Sequence, residues 1–187
     1  MSEPTNTVQL STYNNSWYTP GGSGLKRACW YIINALFFKN RLFPFIGIKL
    51  ALLKIFGAKL GAGIMIKPGV NIKYPWLLEI GNHVWIGEEA WIDNLAKVKI
   101  GDNCCLSQGA MLLTGNHDYS RPSFDLIVKE IILEEGVWIG AKAVVCPGVT
   151  CFSHSVLSVP SVANRNLEAY TIYRGNPAVA IRSRDIK

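Results

Sequence analysis

Ile80–Trp91 reads IGNHVWIGEEAW, Ile100–Met111 reads IGDNCCLSQGAM, and Leu133–Thr150 reads LEEGVWIGAKAVVCPGVT. In each, an aliphatic residue returns every six positions, usually with glycine after it, and the fifth position is small. Working outward, the register begins at Leu60, Ile66 and Ile72. It runs through Ile80, Ile86, Ile92, Ile100, Leu106 and Leu112, and resumes at Leu133, Ile139, Val145, Cys151, Leu157 and Ala163. Six residues match neither the 3.6-residue helical period nor two-residue strand alternation. They fit a three-sided stack in which each hexad forms one flat side and one corner. The aliphatic residue points inward, the small residue sits where the corner crowds the core, and the second-position glycine is expected to supply the corner torsion. Three hexads close one coil, and coils about 4.8 Å apart bury a shared core by stacking. The expected fold is therefore an all-β solenoid of about five coils. The eight-residue steps Ile72–Ile80 and Ile92–Ile100 read as bulged corners.

The repeat breaks once, between Leu112 and Leu133, where TGNHDYSRPSFDLIVKEI implies an extruded loop at 114–131. A loop on a rigid scaffold is where variable chemistry concentrates. His117 suits the role of general base at neutral pH. Asp118 follows it directly, although adjacent side chains in extended chain point apart. Ile92 should stack below Leu112, which brings Asp93 and Asn94 near Thr114 and Asn116; corner-turn chemistry explains Asp and Asn there equally well.

TGNHDYS, VWIGAKAVVCPGVT and the ending YRGNPAVAIR together resemble the hexapeptide-repeat acyltransferases, and within them the WcaF-like acetyltransferases of capsule and exopolysaccharide synthesis. The resemblance covers about Leu25 to Arg182. It implies a left-handed parallel β-helix, a homotrimer, acetyl-CoA as co-substrate and a sugar or lipid-linked glycan as acceptor. His117 falls at the family's catalytic histidine, which acts by direct transfer with both substrates bound. Asp93, Asn94, Asn116 and Tyr119 become acceptor-binding candidates. Trp138, Gly140 and Ala141 match positions beside the pantetheine arm, with Val159 on the next coil, and Arg165 and Arg182 are candidates for the CoA phosphates, as is Arg184. The chain departs from many relatives at Ser158-Val159-Pro160, at Asn164-Arg165 and at Val179. A zinc-binding solenoid of the γ-class carbonic anhydrase kind is not expected, because His83, His117 and His154 lack its close histidine pair.

Charge divides the chain. Met1 to Leu78 holds nine basic residues and one acidic residue, Glu3, whereas Glu79 to Lys187 holds ten basic and twelve acidic. A uniformly basic nucleic-acid binder is therefore disfavoured. The five cysteines form no CxxC and no even set, which reads as a reduced, cytoplasmic chain with no disulfide framework. Residues 1–24 are polar and read as an extended or mobile arm. Residues 25–58 mix Trp, Phe and Leu with lysine and arginine, and the apolar run Ala28–Phe38 is too short to span a bilayer. That composition predicts two short helices parted by Pro44, closing the open end of the solenoid and suited to peripheral contact with an anionic membrane. The solenoid should occupy 59–168 and a tail 169–187. Two rival readings are a soluble acetyltransferase of free sugars or xenobiotics, without need of the basic apolar segment, and a non-catalytic assembly scaffold.

Overall fold

A computed structural model describes residues 7–187; residues 1–6 of the expected arm lie outside the described residues. The fold is a left-handed parallel β-helix. Its first coil is β1 (Lys59–Leu60), β2 (Met65–Ile66) and β3 (Asn71–Ile72), and its second β4 (Leu78–Ile80), β5 (Trp85–Ile86) and β6 (Trp91–Asp93). The third is β7 (Val98–Ile100), β8 (Cys105–Leu106) and β9 (Met111–Leu113), after which β10 (Gly115–His117) and β11 (Leu126–Val128) leave as an antiparallel hairpin. The stack resumes with β12 (Ile131–Leu133), β13 (Trp138–Ile139) and β14 (Val144–Val145), then β15 (Thr150–Cys151), β16 (Val156–Leu157) and β17 (Val162–Ala163).

Each strand of a coil joins its own parallel sheet. The predicted inward residues stack in register, as Leu60, Ile80, Ile100, Leu133 and Cys151 do on the first face. Ile66, Ile86, Leu106, Ile139 and Leu157 on the second face are wholly buried. Burying an aliphatic side chain stabilises by about 1.5–3 kcal/mol, and these columns form one continuous core. The chain goes further than five coils. Leu167 bridges Cys151, β18 (Thr171–Gly175) stacks on β16, and β19 (Ala178–Ser183) folds back antiparallel to it. The expected tail is thus a partial sixth coil that closes the far end.

The corner torsion belongs to a different position from the one predicted. The left-handed residues are the fourth of each hexad: His83, Glu89, Asn103, Lys142 and His154 have φ of 56 to 60°. Second-position glycines do not have positive φ. They are needed because the next coil lies against them: a Cβ on Gly140 would sit 2.8 Å from Leu157 O and Val159 N.

Helix α1 (Gly24–Ile33) begins at Ser23, whose side chain accepts from Lys26 N, and passes into a π-helical turn, Asn34–Phe38. After Pro44 comes α2 (Ile46–Ile55). Trp30, Phe38 and Leu53 seal the core beneath the first coil. That coil donates its N–H groups upward, for instance Met65 N to Val84 O, so its lower carbonyls need partners. Trp30 Nε1 donates to Ile72 O at 2.8 Å, and Lys49 Nζ to Lys67 O at 3.1 Å. The arm is laid down along the edge between the third and first faces. Gln9 N donates to Pro122 O, Tyr18 Oη to Leu95 O, and Trp76 Nε1 to Pro20 O. Polar composition left those anchors invisible, because each is a single aromatic or backbone contact to a distant segment.

Candidate functional site

The third corner is built differently from the other two. It carries both eight-residue steps, the first containing the short helical turn Pro75–Leu77, and the hairpin emerges from the same corner one coil up. Asn94 is wholly buried there. Its Oδ1 accepts from Tyr74 N at 2.9 Å and its Nδ2 donates to Tyr74 O at 2.6 Å. With its amide engaged at both ends Asn94 braces the corner, and the acceptor-binding role expected of it is corrected on that ground. Thr114, also buried, links the coils: its Oγ1 accepts from Ala96 N and donates to Asp93 O, both at 2.9 Å. The Asp93 carboxylate is mostly buried, its Oδ1 shielded from solvent and 2.9 Å from Lys73 Nζ.

On this base the hairpin carries His117. Its Nδ1 lies 2.9 Å from Phe124 O, and its ring stacks on that of Phe124 with centroids 4.5 Å apart and planes 10° from parallel. A carbonyl can only accept, so Nδ1 carries a proton in this pose, and Nε2 is the nitrogen left to exchange one. Phe124 holds this pose from a left-handed backbone, φ 52°, uncommon for an aromatic residue. Tyr13 of the arm packs beside it, with ring centroids 5.7 Å apart. Phe124 and Tyr13 were missed in the sequence, since neither has a repeat position to mark it.

The neighbouring polar residues separate. Asp118 accepts from Ser120 N and Ser120 Oγ and pairs with Arg121, and the serine hydrogen bonds hold its carboxyl below the usual range. It fastens the turn and does not touch the imidazole. Asn116 accepts from His117 N at 2.8 Å and is exposed, as is Tyr119 at the tip.

The predicted donor residues gather elsewhere. Trp138, Gly140 and Val159 line a cleft of about 450 Å³ on the fourth and fifth coils with Ser158 and Arg174. Trp138 is half-exposed, and its Nε1 donates to Ser107 Oγ at 2.9 Å. Ala141 lies at the same corner without lining the cleft. Arg165 and Arg182 are exposed and outside it. Arg184 donates to Gly136 O and His154 O and so fastens the C-terminus to the stack. The arginine in the cleft is Arg174, which the resemblance did not single out; its place on a sixth coil was the missing clue. Burial pushes the Cys104 thiol up to about 12 and raises that of Cys151 too, so neither supplies a thiolate. Among the described residues, no three His, Cys, Asp or Glu side chains gather as metal ligands.

His117 leaves the corner between the third and first faces, and the Trp138 cleft lies toward the corner between the second and third. One full face, roughly 15–20 Å of extended chain, separates them. The arrangement offers an oriented base at one edge and a narrow groove with a cation at another.

No protein-family model matches the chain. Over 164 residues it is 34% identical to WcaF of Escherichia coli strain K12, which carries the name of a colanic acid biosynthesis acetyltransferase; the alignment covers 88% of this chain and 90% of that protein. It is 27% identical over 135 residues to the galactoside O-acetyltransferase of the same strain, covering 71% and 66%. A crystal structure of a hexapeptide-repeat acetyltransferase from Vibrio cholerae O1 biovar eltor, complexed with acetyl coenzyme A, superposes with a TM-score of 0.76 at 25% identity, covering 87% of this chain and 88% of that one.

Proposed function

The chain belongs to the WcaF family of hexapeptide-repeat acetyltransferases, and from that premise we propose that it O-acetylates a saccharide hydroxyl with acetyl-CoA. The observation that carries this reading is the contact of His117 Nδ1 with Phe124 O. With Nδ1–H donated to Phe124 O, Nε2 is the base available to an acceptor hydroxyl. As the hydroxyl oxygen attacks the thioester carbonyl, its proton passes to Nε2. Collapse of the tetrahedral species expels the CoA thiolate, which takes the proton back. Both substrates are bound together, so no acyl-enzyme is needed. Asp93, beneath the hairpin, accepts from acceptor hydroxyls, and Asn116 and Tyr119 flank the entrance.

The donor lies in the Trp138 cleft, where the missing Cβ of Gly140 lets the pantetheine arm approach the backbone and Arg174 faces a phosphate. The separation of His117 from that cleft supports a trimer, in which the hairpin of one chain meets the groove of the next. Exposed Leu25, Tyr31, Leu36, Leu42 and Phe45, beside lysines and arginines, support contact of the helical cap with an anionic membrane. No helix among the described residues is long and apolar enough to cross one.

The test is incubation with acetyl-CoA and glycan intermediates, following thiol release and a mass gain of one acetyl group. His117→Ala is expected to lower kcat by about 10²–10⁴. Undiminished transfer by that variant would remove His117 from the reaction. Flotation with anionic vesicles, against a variant with Leu42 and Phe45 changed to serine, tests the membrane contact; equal flotation of the two proteins counts against it.

A further inference from the structure

We propose that the cleft between α1 and the third face of the first two coils binds the phosphate of a phosphorylated saccharide acceptor. The proposal rests on the acetyltransferase reading and deepens it by naming the acceptor class.

The cleft measures about 510 Å³ and is lined by Arg27, Tyr31 and Lys39 from the helical cap and by Asn71, Trp91 and Asp93 from the strands. Arg27, Tyr31 and Ala35 recur every four residues and so share one helical face. The π turn widens the helix by one residue per turn, and Lys39 caps it. Trp30 and Asn34, which also line the cleft, tie this helix to Ile72 and Asn71, so the cationic face is held at a fixed height over the strands.

The charges are unbalanced. Lys73, which also lines the cleft, pairs with Asp93 at 2.9 Å. Arg27 and Lys39 have no ion-pair partner among the described residues, and the sequence places no carboxylate between Pro4 and Leu78. Arg27 and Lys39 bring two unneutralised cations to the cleft from positions twelve residues apart on the helix, and that spread of charge suits a diphosphate ester better than the single charge of a carboxylate. Tyr31 and Trp91 present accessible rings on which the apolar face of a sugar can lie. Asp93 belongs to this cleft and, through its carbonyl and Thr114, to the base of the hairpin that carries His117. A sugar anchored by its phosphate here would extend toward the base. The Trp138 cleft on the fourth and fifth coils serves the donor, which leaves these cations to the acceptor.

Calorimetric titration of the full-length His117→Ala protein tests this without turnover. The probes are the 1-phosphates of glucose, galactose and mannose, a nucleoside diphosphate hexose, and a short-chain prenyl diphosphate hexose, with free hexoses, hexuronic acids and CoA as controls. At least one phosphorylated probe is expected to bind tenfold or more tightly than its free hexose and the matching uronic acid. Adding Arg27→Gln and Lys39→Gln should abolish that advantage while leaving the affinity for CoA within twofold and the melting temperature unchanged. Which probe prevails separates a nucleotide-linked from a lipid-linked source. No advantage for phosphate, or a loss of CoA affinity in the double substitution, overturns the assignment. If wild type acetylates free sugars without that advantage, the cleft assignment falls and the acetyltransferase reading stands. If phosphorylated sugars bind through Arg27 and Lys39 and wild type never acetylates them, the cleft stands and the catalytic reading falls.

Discussion

Two side chains show how single residues are set by what surrounds them. His117 owes the proton on its Nδ1 to one carbonyl, and Phe124 presents that carbonyl while stacking on the ring. Phe124→Gly keeps the carbonyl, relaxes the left-handed backbone and deletes the stack. An aromatic stack is worth about 0.5–1.5 kcal/mol, so kcat should fall about three- to tenfold with the KM for acetyl-CoA unchanged; an unaltered kcat in steady-state assays would deny Phe124 a positioning role. Lys49 is the opposite case, an ammonium with no accessible surface and one carbonyl partner, its pKa lowered by burial from the ordinary 10.5. The unfolded chain therefore binds the proton more tightly than the folded one between the lowered pKa and 10.5. Stability from this residue rises with pH across that window and is lowest below it. Lys49→Met should stabilise the protein at pH 7, or leave it level, and remove that part of the rise. Denaturant unfolding of both proteins from pH 7 to 10.5 measures the difference, and parallel curves would mean that Lys49 titrates as it does when unfolded.

At the scale of the coil, glycine and the left-handed residue do separate jobs two positions apart. Gly140→Ala drives a methyl group into Leu157 O and Val159 N of the coil above, and should destabilise by about 1–3 kcal/mol. Lys142→Gly removes left-handed strain at φ 57° but frees the unfolded chain, so its net effect should stay within about 1 kcal/mol. Thermal unfolding of the pair decides the point; equal losses at both positions would mean that corner torsion, not coil-to-coil approach, selects glycine. The hexad register was legible in the sequence because every inward residue repeats at a fixed step, and the structure stacks Ile92 on Leu112 as that step requires. The role of the second-position glycine was not legible, since one residue type answers both to a left-handed φ and to a close neighbour. The hairpin announced itself as an interruption carrying His117, but its partner Phe124 lies in a stretch without period. Asn94 misled for the same reason that it folds well: the amide that suits a ligand also suits two backbone groups one coil below. Arg174 escaped notice because the expected five coils end before it.

The whole molecule poses a problem that one chain does not solve, because the base and the groove stand on different edges of a rigid prism. Cores this closely packed do not bend to bring two edges together, so in the proposed trimer the two halves would meet between chains. In such a ring each site would take His117 from one protomer and the Trp138 cleft from its neighbour, in one sense around the ring. That geometry makes a quantitative prediction. His117→Ala protein and Trp138→Ala/Arg174→Ala protein should each be nearly inactive alone. After they are denatured together in equal amounts and refolded, a site is intact when an unaltered histidine faces an unaltered groove, which happens at about one-half times one-half of the interfaces. The mixture should recover about a quarter of the wild-type kcat per site, whereas proteins refolded apart and then combined should recover nothing. Activity that stays at the level of the parents after co-refolding, with mixed oligomers verified by mass spectrometry, would place base and groove in the same chain and require a rearrangement of the hairpin to unite them.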